Sequence, residues 1–285
     1  MSKRHIGRRS ALQFAGSLSM VLFAAKIAGA KDRSVSGVEE FPSPQSGNSP
    51  DEKPSSENQK LVEYSCNNAG VPISDKSNRV SLLEDFNDSS SCEITPRSFE
   101  GPYFYCGETR GKNIAAGQIG EPLIFALRVI DAKTCTPLAG AIVDVWHANA
   151  KGFYAGYDAD PDEEVTAREH LDPTNGNRWC RGALVVDEDG IAEFETVYPG
   201  YYFSRAVHIH YKVHLGNQAY VTNQTLMPET YNKSLLSRPP YNTDRNDVAR
   251  KTERKPNSAE AALELDTLTI IERDSRLVGV STVVI

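Results

Sequence analysis

Tyr154, Tyr202, His208 and His210 are the side chains of this 285-residue chain whose types and spacing point to metal chemistry. His208 and His210 are two apart in the run VHIHYKV. In an extended strand both leave the same face with Cα atoms about 6.6 Å apart, so two imidazoles can share one ion. Tyr202 follows the Pro199-Gly200 turn and precedes the histidines by one short loop. Tyr154 comes just after Gly152, beyond a strand expected to end at Trp146, and spacing alone does not tie it to the others. A phenol must lose a proton of reference pKa near ~10 before it binds a metal, so two tyrosines demand a strongly Lewis-acidic ion. Ferric iron meets that demand: hard anionic oxygens favour the higher oxidation state, and imidazole suits iron in either state. Two phenolates and one hydroxide would cancel its three positive charges, leaving a neutral centre that can be buried without a large ionic desolvation cost.

Other residues compete for these roles. His147 ends the strand before Tyr154 and is a ligand candidate by type, but it reads as structural. His214 shares the face of His208 but lies about 20 Å farther along an extended strand, which leaves it a surface or supporting role. Tyr201 reads as an ordinary amphipathic tyrosine. Two rival readings stand beside iron: a zinc lyase or hydrolase built on His208, His210 and a third imidazole, and a non-catalytic sandwich that binds carbohydrate or a cell-surface partner.

The elements that must position these residues are short strands. Alternating or apolar runs at 123–129, 141–146, 183–186, 191–197, 207–213, 265–271 and 278–285 are separated by turn signals such as Asp187-Glu188-Asp189-Gly190, and no helix stands out. This predicts an all-β fold, a sandwich of two antiparallel sheets with long loops, one of them wrapping it over 228–257. Residues 1–30 carry a basic start with Arg8 and Arg9, an apolar run and the small residues Ala28-Gly29-Ala30, the pattern of a cleaved export signal of twin-arginine type. Its apolar run falls short of the roughly 20 residues that span a bilayer, so no spanning segment is expected once it is removed. Residues 31–91 are rich in Ser, Pro, Asn and charge and read as a disordered linker, which leaves 92–285 as the catalytic domain. A net charge of −7 without a basic stripe argues against a nucleic-acid partner. Five cysteines in an exported chain imply disulfides with one thiol left over, and Cys66, inside the linker, is the expected odd one.

The runs PLAGAIVDV and DEDGIAEFETVYPG resemble prealbumin-like accessory sandwiches, which account for those two segments but not for the tyrosines and histidines. A second resemblance covers 92–285. VDVWHANAKGFY ending at Tyr154, Arg181-Gly182, PGYY ending at Tyr202, Arg205 and His208-Ile209-His210 are similar to the intradiol ring-cleavage dioxygenases, the catechol and protocatechuate dioxygenase family. Thr95-Pro96, Glu100-Gly101-Pro102-Tyr103, Pro239-Pro240-Tyr241 and Asp244-Arg245 resemble its exported branch. The resemblance implies non-haem Fe(III) held by Tyr154, Tyr202, His208 and His210, with Tyr154 and His208 in the plane of an open position and Tyr202 and His210 as the axial pair. It implies that Arg205 stabilises the anionic substrate, that Gln224 lies near the bound ring, and that Tyr202 takes up a substrate proton. The partners implied are a small aromatic diol and dioxygen, the ring opening between its two hydroxylated carbons to a muconate-type diacid. Whether the diol is catechol, protocatechuate or hydroxyquinol depends on pocket walls that the pattern leaves open, as it does the oligomeric state. Cys180, where the family commonly has an aliphatic residue, is expected to line the pocket or join a disulfide.

Overall fold

A computed structural model of the chain describes residues 66–86, 92–106, 109–158, 171–202, 205–241 and 265–285. The export signal and the Asp244-Arg245 pair lie outside the described residues. Among the described residues, two short 3-10 turns at Lys76–Asn78 and Leu83–Asp85 precede ten strands and one α-helix: β1 Thr109–Arg110, β2 Pro122–Asp131, β3 Thr136–Pro137, β4 Ala141–Trp146, β5 Arg181–Val185, β6 Ile191–Val197, β7 His208–Leu215, β8 Gln218–Leu226, α1 Glu229–Leu235, β9 Thr269–Arg273 and β10 Arg276–Val284. They form two sheets. One runs β1-β5-β4-β7-β8, the other β3-β2-β10-β9 with β6 also on β2. Most pairings are antiparallel, and the parallel ones are β1 with β5 and β2 with β10.

Alternation along β7 decides where the site sits. Ile209, Tyr211 and Val213 enter the core between the sheets beside Val143, Val145, Phe125, Leu127 and Phe194. Burying each such side chain is worth roughly 1.5–3 kcal/mol. His208, His210, Lys212 and His214 therefore point to the opposite face, yet they too are buried. Register sets Trp146 and Gln224 beside His210, and Asp144 and Thr222 beside Lys212. The hairpin before β6 turns where expected: Asp187 Oδ1 accepts from the Asp189 and Ile191 amides at 2.9 and 3.0 Å. Gly190 closes it at φ +79, where an added methyl would meet the Val129 carbonyl.

What lies outside the sheets departs from the expected domain plan. Residues 66–86 fall inside the stretch expected to be a disordered linker, yet they lie on the sandwich. Ser74 N donates to Val185 O at 2.8 Å, and buried Glu193 accepts from Val80 N, Ser81 N and Ser81 Oγ. Arg79 pairs with Asp187 and Asp189, while Val80 and Phe86 pack on the outer face of the second sheet. Polar composition hid this order because the segment is fastened by hydrogen bonds and ion pairs more than by apolar burial.

Disulfides join Cys66 to Cys106 and Cys92 to Cys135. Cys66 is therefore not the odd cysteine. That one is Cys180, buried in neither a disulfide nor an exposed wall, with its thiol pushed up to about 12 by burial. Two further corrections concern elements. The expected loop over 228–257 opens with α1, and the remainder beyond residue 241 lies outside the described residues. Strand β8 was not expected, because QAYVTNQTL lacks an apolar alternation; its Thr222, Asn223, Gln224 and Thr225 are buried polar groups.

Candidate metal centre

The four donor side chains converge. His208 and His210 bring their Nε2 atoms within 2.9 Å of each other. An ion bound by both nitrogens at about 2.1 Å and at right angles would hold them about 3 Å apart. His208 Nδ1–H donates to the Ala206 carbonyl at 2.6 Å, which fixes the tautomer and leaves the Nε2 lone pair pointing inward. Trp146 lies flat on His210, with ring centroids 4.9 Å apart and planes 7° from parallel. Tyr202 stands edge-on to His208 at 5.6 Å and to Tyr154 at 5.3 Å, and Tyr154 lies 6.3 Å from His210.

The tie between Tyr154 and Tyr202, invisible in the spacing, is made by two glycines. Asn149 folds the loop that follows β4: its carbonyl accepts from Gly152 N, and its side chain accepts from Lys151 N and Phe153 N. Gly152 has φ +87 and backs onto the next loop so closely that an added methyl would sit 2.0 Å from the Tyr201 carbonyl. Gly200 reciprocates, its amide donating to Asn149 O at 2.9 Å and its Cα facing the Ala150 carbonyl. The two loops are thus locked, and their tyrosines meet.

Electrostatics fits a trivalent ion. Burial, together with the nearby Tyr202 hydroxyl, raises the Tyr154 phenol well above its ordinary value, and the Arg205 charge only partly opposes this. Its Oη is buried with no partner in hydrogen-bonding geometry. Such a group is costly unless something binds it. Burial first, then the charges nearby, holds His208 and His210 well below 6.5, so both are neutral ligands at physiological pH. An ion that turns Tyr154 into a phenolate satisfies the orphaned oxygen and uses imidazoles already deprotonated. The residues present therefore fit ferric iron.

Arg205 is buried beside Tyr202, donating to its Oη at 3.3 Å and to Gln224 Oε1 at 2.7 Å. Gln224 Nε2 donates to Phe99 O at 3.2 Å, so the glutamine orients the arginine from β8. His147 is no ligand: its Nδ1 meets Ala148 O and its Nε2 meets Thr196 Oγ1, both at 2.8 Å, and burial lowers it to about 4. His214 is not at the surface but fully buried, 3.8 Å from Asp144. Among the described residues no three His, Cys, Asp or Glu side chains converge, so the zinc reading lacks its third imidazole there. Sequence reasoning passed over Tyr103, which stacks on Tyr154 with centroids 4.6 Å apart, and Arg181, which holds the Tyr103 and Ala155 carbonyls. Their signal was the motif residues already noted, without a role attached.

A buried, mixed tyrosine and histidine donor set on the outer face of a β-sandwich sheet is one that could hold a non-haem metal ion. Residues 99–228 match a protein-family model described as "Dioxygenase". Catechol 1,2-dioxygenase 1 of Acinetobacter lwoffii is 35% identical over 114 residues, covering 37% of this chain and 31% of that protein. Hydroxyquinol 1,2-dioxygenase of Rhizobium sp. (strain MTP-10005) is 33% identical over 92 residues, covering 32% of this chain and 26% of its own. The chain thus spans about a third or less of the length of these two relatives. Among solved structures, an intradiol ring-cleavage dioxygenase from Tetranychus urticae aligns at a TM-score of 0.58 and 29% identity, covering 67% of this chain and 94% of that one. Over residues 99–228 the chain is thus similar to the dioxygenase family, and its fold is similar to that of a solved intradiol ring-cleavage dioxygenase.

Proposed function

We propose that the protein is an intradiol dioxygenase that uses non-haem Fe(III), held by Tyr154, Tyr202, His208 and His210, to open catechol-type rings between their two hydroxylated carbons. One molecule of dioxygen is consumed, and both its atoms stay in the muconate-type diacid. The observation that carries the reading is the meeting of two imidazole Nε2 atoms 2.9 Å apart beside two tyrosines, one with an orphaned buried oxygen. When bound, ferric iron draws electron density out of the catecholate ring and opens it to dioxygen. The side chains do the rest. Tyr202, half-buried and the more accessible of the two tyrosines, accepts one substrate hydroxyl proton at Oη. Arg205, held by Gln224, keeps a fixed positive charge against the negative charge that builds on the substrate. Phe99, Tyr103 and Trp146 wall the centre and keep its dielectric low, which strengthens each of these interactions.

Oxygen consumption with a panel of catechol, hydroxyquinol and protocatechuate tests this. The expected result is uptake of one dioxygen per diol and a product heavier than the substrate by both atoms. An iron-loaded protein that consumes no oxygen with any diol contradicts it. We also propose that residues 1–30 direct export. Two disulfides suit an oxidising compartment. Sequencing the mature N-terminus tests the point: a start beyond residue 30 supports export, and an intact Met1 in the active protein opposes it.

A further inference from the structure

Residues 98–104 cross the centre and touch each part of it in turn. Phe99 lies under the Arg205 guanidinium at 5.1 Å, and its carbonyl accepts from Gln224. Gly101, at φ +79, backs onto His210, where an added methyl would sit 3.2 Å from Cε1. Tyr103 stacks on Tyr154, and Phe104 leans at 4.7 Å on the same Trp146 that covers His210. A charge contact pins this strap to the sheet: Lys212 Nζ donates to Glu100 Oε2. Lys212 is fully buried two residues beyond His210 on the same face of β7, and its ammonium lies 3.7 Å from the Phe104 ring centre. Asp144 stands across from it in the β4 register. A buried ammonium persists only with a partner held in place, and such pairs are best suited to fixing register. Register matters here, because Gly101, at a positive φ, backs so closely onto His210 that an added methyl would press on its ring.

We propose that the Glu100–Lys212 ion pair fixes residues 98–104 against the donor set, making Glu100 and Lys212 positioning residues for the centre. The inference rests on the dioxygenase reading for its spectral readout, but the strap itself is tested without iron. Replacing both partners, Glu100→Gln with Lys212→Met, avoids stranding a lone buried charge. In metal-free protein the expected result is amide exchange about tenfold faster over 98–104, with β2 and β6 unchanged. With iron bound, the visible band should shift and kcat fall about tenfold at the same iron content. The control pair Asp85→Asn with Arg273→Met, in the cover of the other sheet, should lower the melting temperature and leave the band alone. Glu100→Asp carries the same exchange measurement if the double variant does not fold. Unchanged protection of the strap in a folded variant, or an equal band shift in the control, overturns the proposal. A wild-type protein that binds no iron overturns the function instead, and the exchange result still decides the strap.

Discussion

At Tyr154 burial and charge pull in opposite directions. Burial raises the phenol well above its ordinary range, so only a cation at its oxygen keeps it ionised at neutral pH. Tyr154→Phe or Tyr202→Phe should shift and weaken the visible absorption and cut kcat by about 10²-fold or more. Tyr201→Phe should leave both intact, because Tyr201 packs into the core between the sheets; stopped-flow and absorption spectra of the variants check this, and equal effects at 201 and 202 would show that the wrong neighbour was assigned. His147 gives a pH prediction. Its folded value, about 4, lies below the unfolded 6.5, so the unfolded chain takes up a proton first as pH falls. The stability His147 contributes is complete above pH 6.5 and is lost progressively between 6.5 and 4, by up to about 3 kcal/mol. His208 and His210 act in the same direction. Thermal melts of metal-free protein across that window should fall steadily with pH, and more shallowly in His147→Gln; equal slopes would contradict the assignment.

Strands and loops differ in what they reveal before folding. His208 and His210 were legible because a period of two puts them on one face of β7 whatever the tertiary context. Tyr154 was not, because its position depends on one loop backing onto another, which no local pattern encodes. Gly152 holds the key to that contact, since it needs both a positive φ and the absence of a Cβ. Gly152→Ala should therefore cost roughly 2 kcal/mol or more, and it should weaken iron retention along with thermal stability; a variant that melts and binds iron like the parent would contradict the account. β8 escaped notice because polar groups are buried on both of its faces, Gln224 turned to Arg205 on the site face and its neighbour Asn223 to Pro96 O on the other. A hydrophobic pattern finds strands that face oil, and this one faces a polar site.

Across the whole molecule the sandwich was legible from turn spacing and 92–106 fell within the expected domain, whereas the way 66–86 joins 92–106 in a cover was not. This cover is held by two disulfides and by carboxylates such as Glu193 and Asp187 that bind its backbone and arginine. Cysteine pairing is a matter of three-dimensional proximity, so the odd member could not be chosen by position. Thiol titration should find no reactive cysteine in the native protein and one after denaturation, the buried Cys180. Reducing both disulfides should lower stability by roughly 2–4 kcal/mol for each, read as a drop in denaturation midpoint. One ion gripped by two phenolates and two imidazoles is the central claim. Iron analysis together with a visible spectrum of the purified protein tests it most directly. The expected result is about one iron per chain and a broad phenolate-to-iron band that moves when catechol is added. A colourless protein that stays colourless after loading with ferric iron would contradict it.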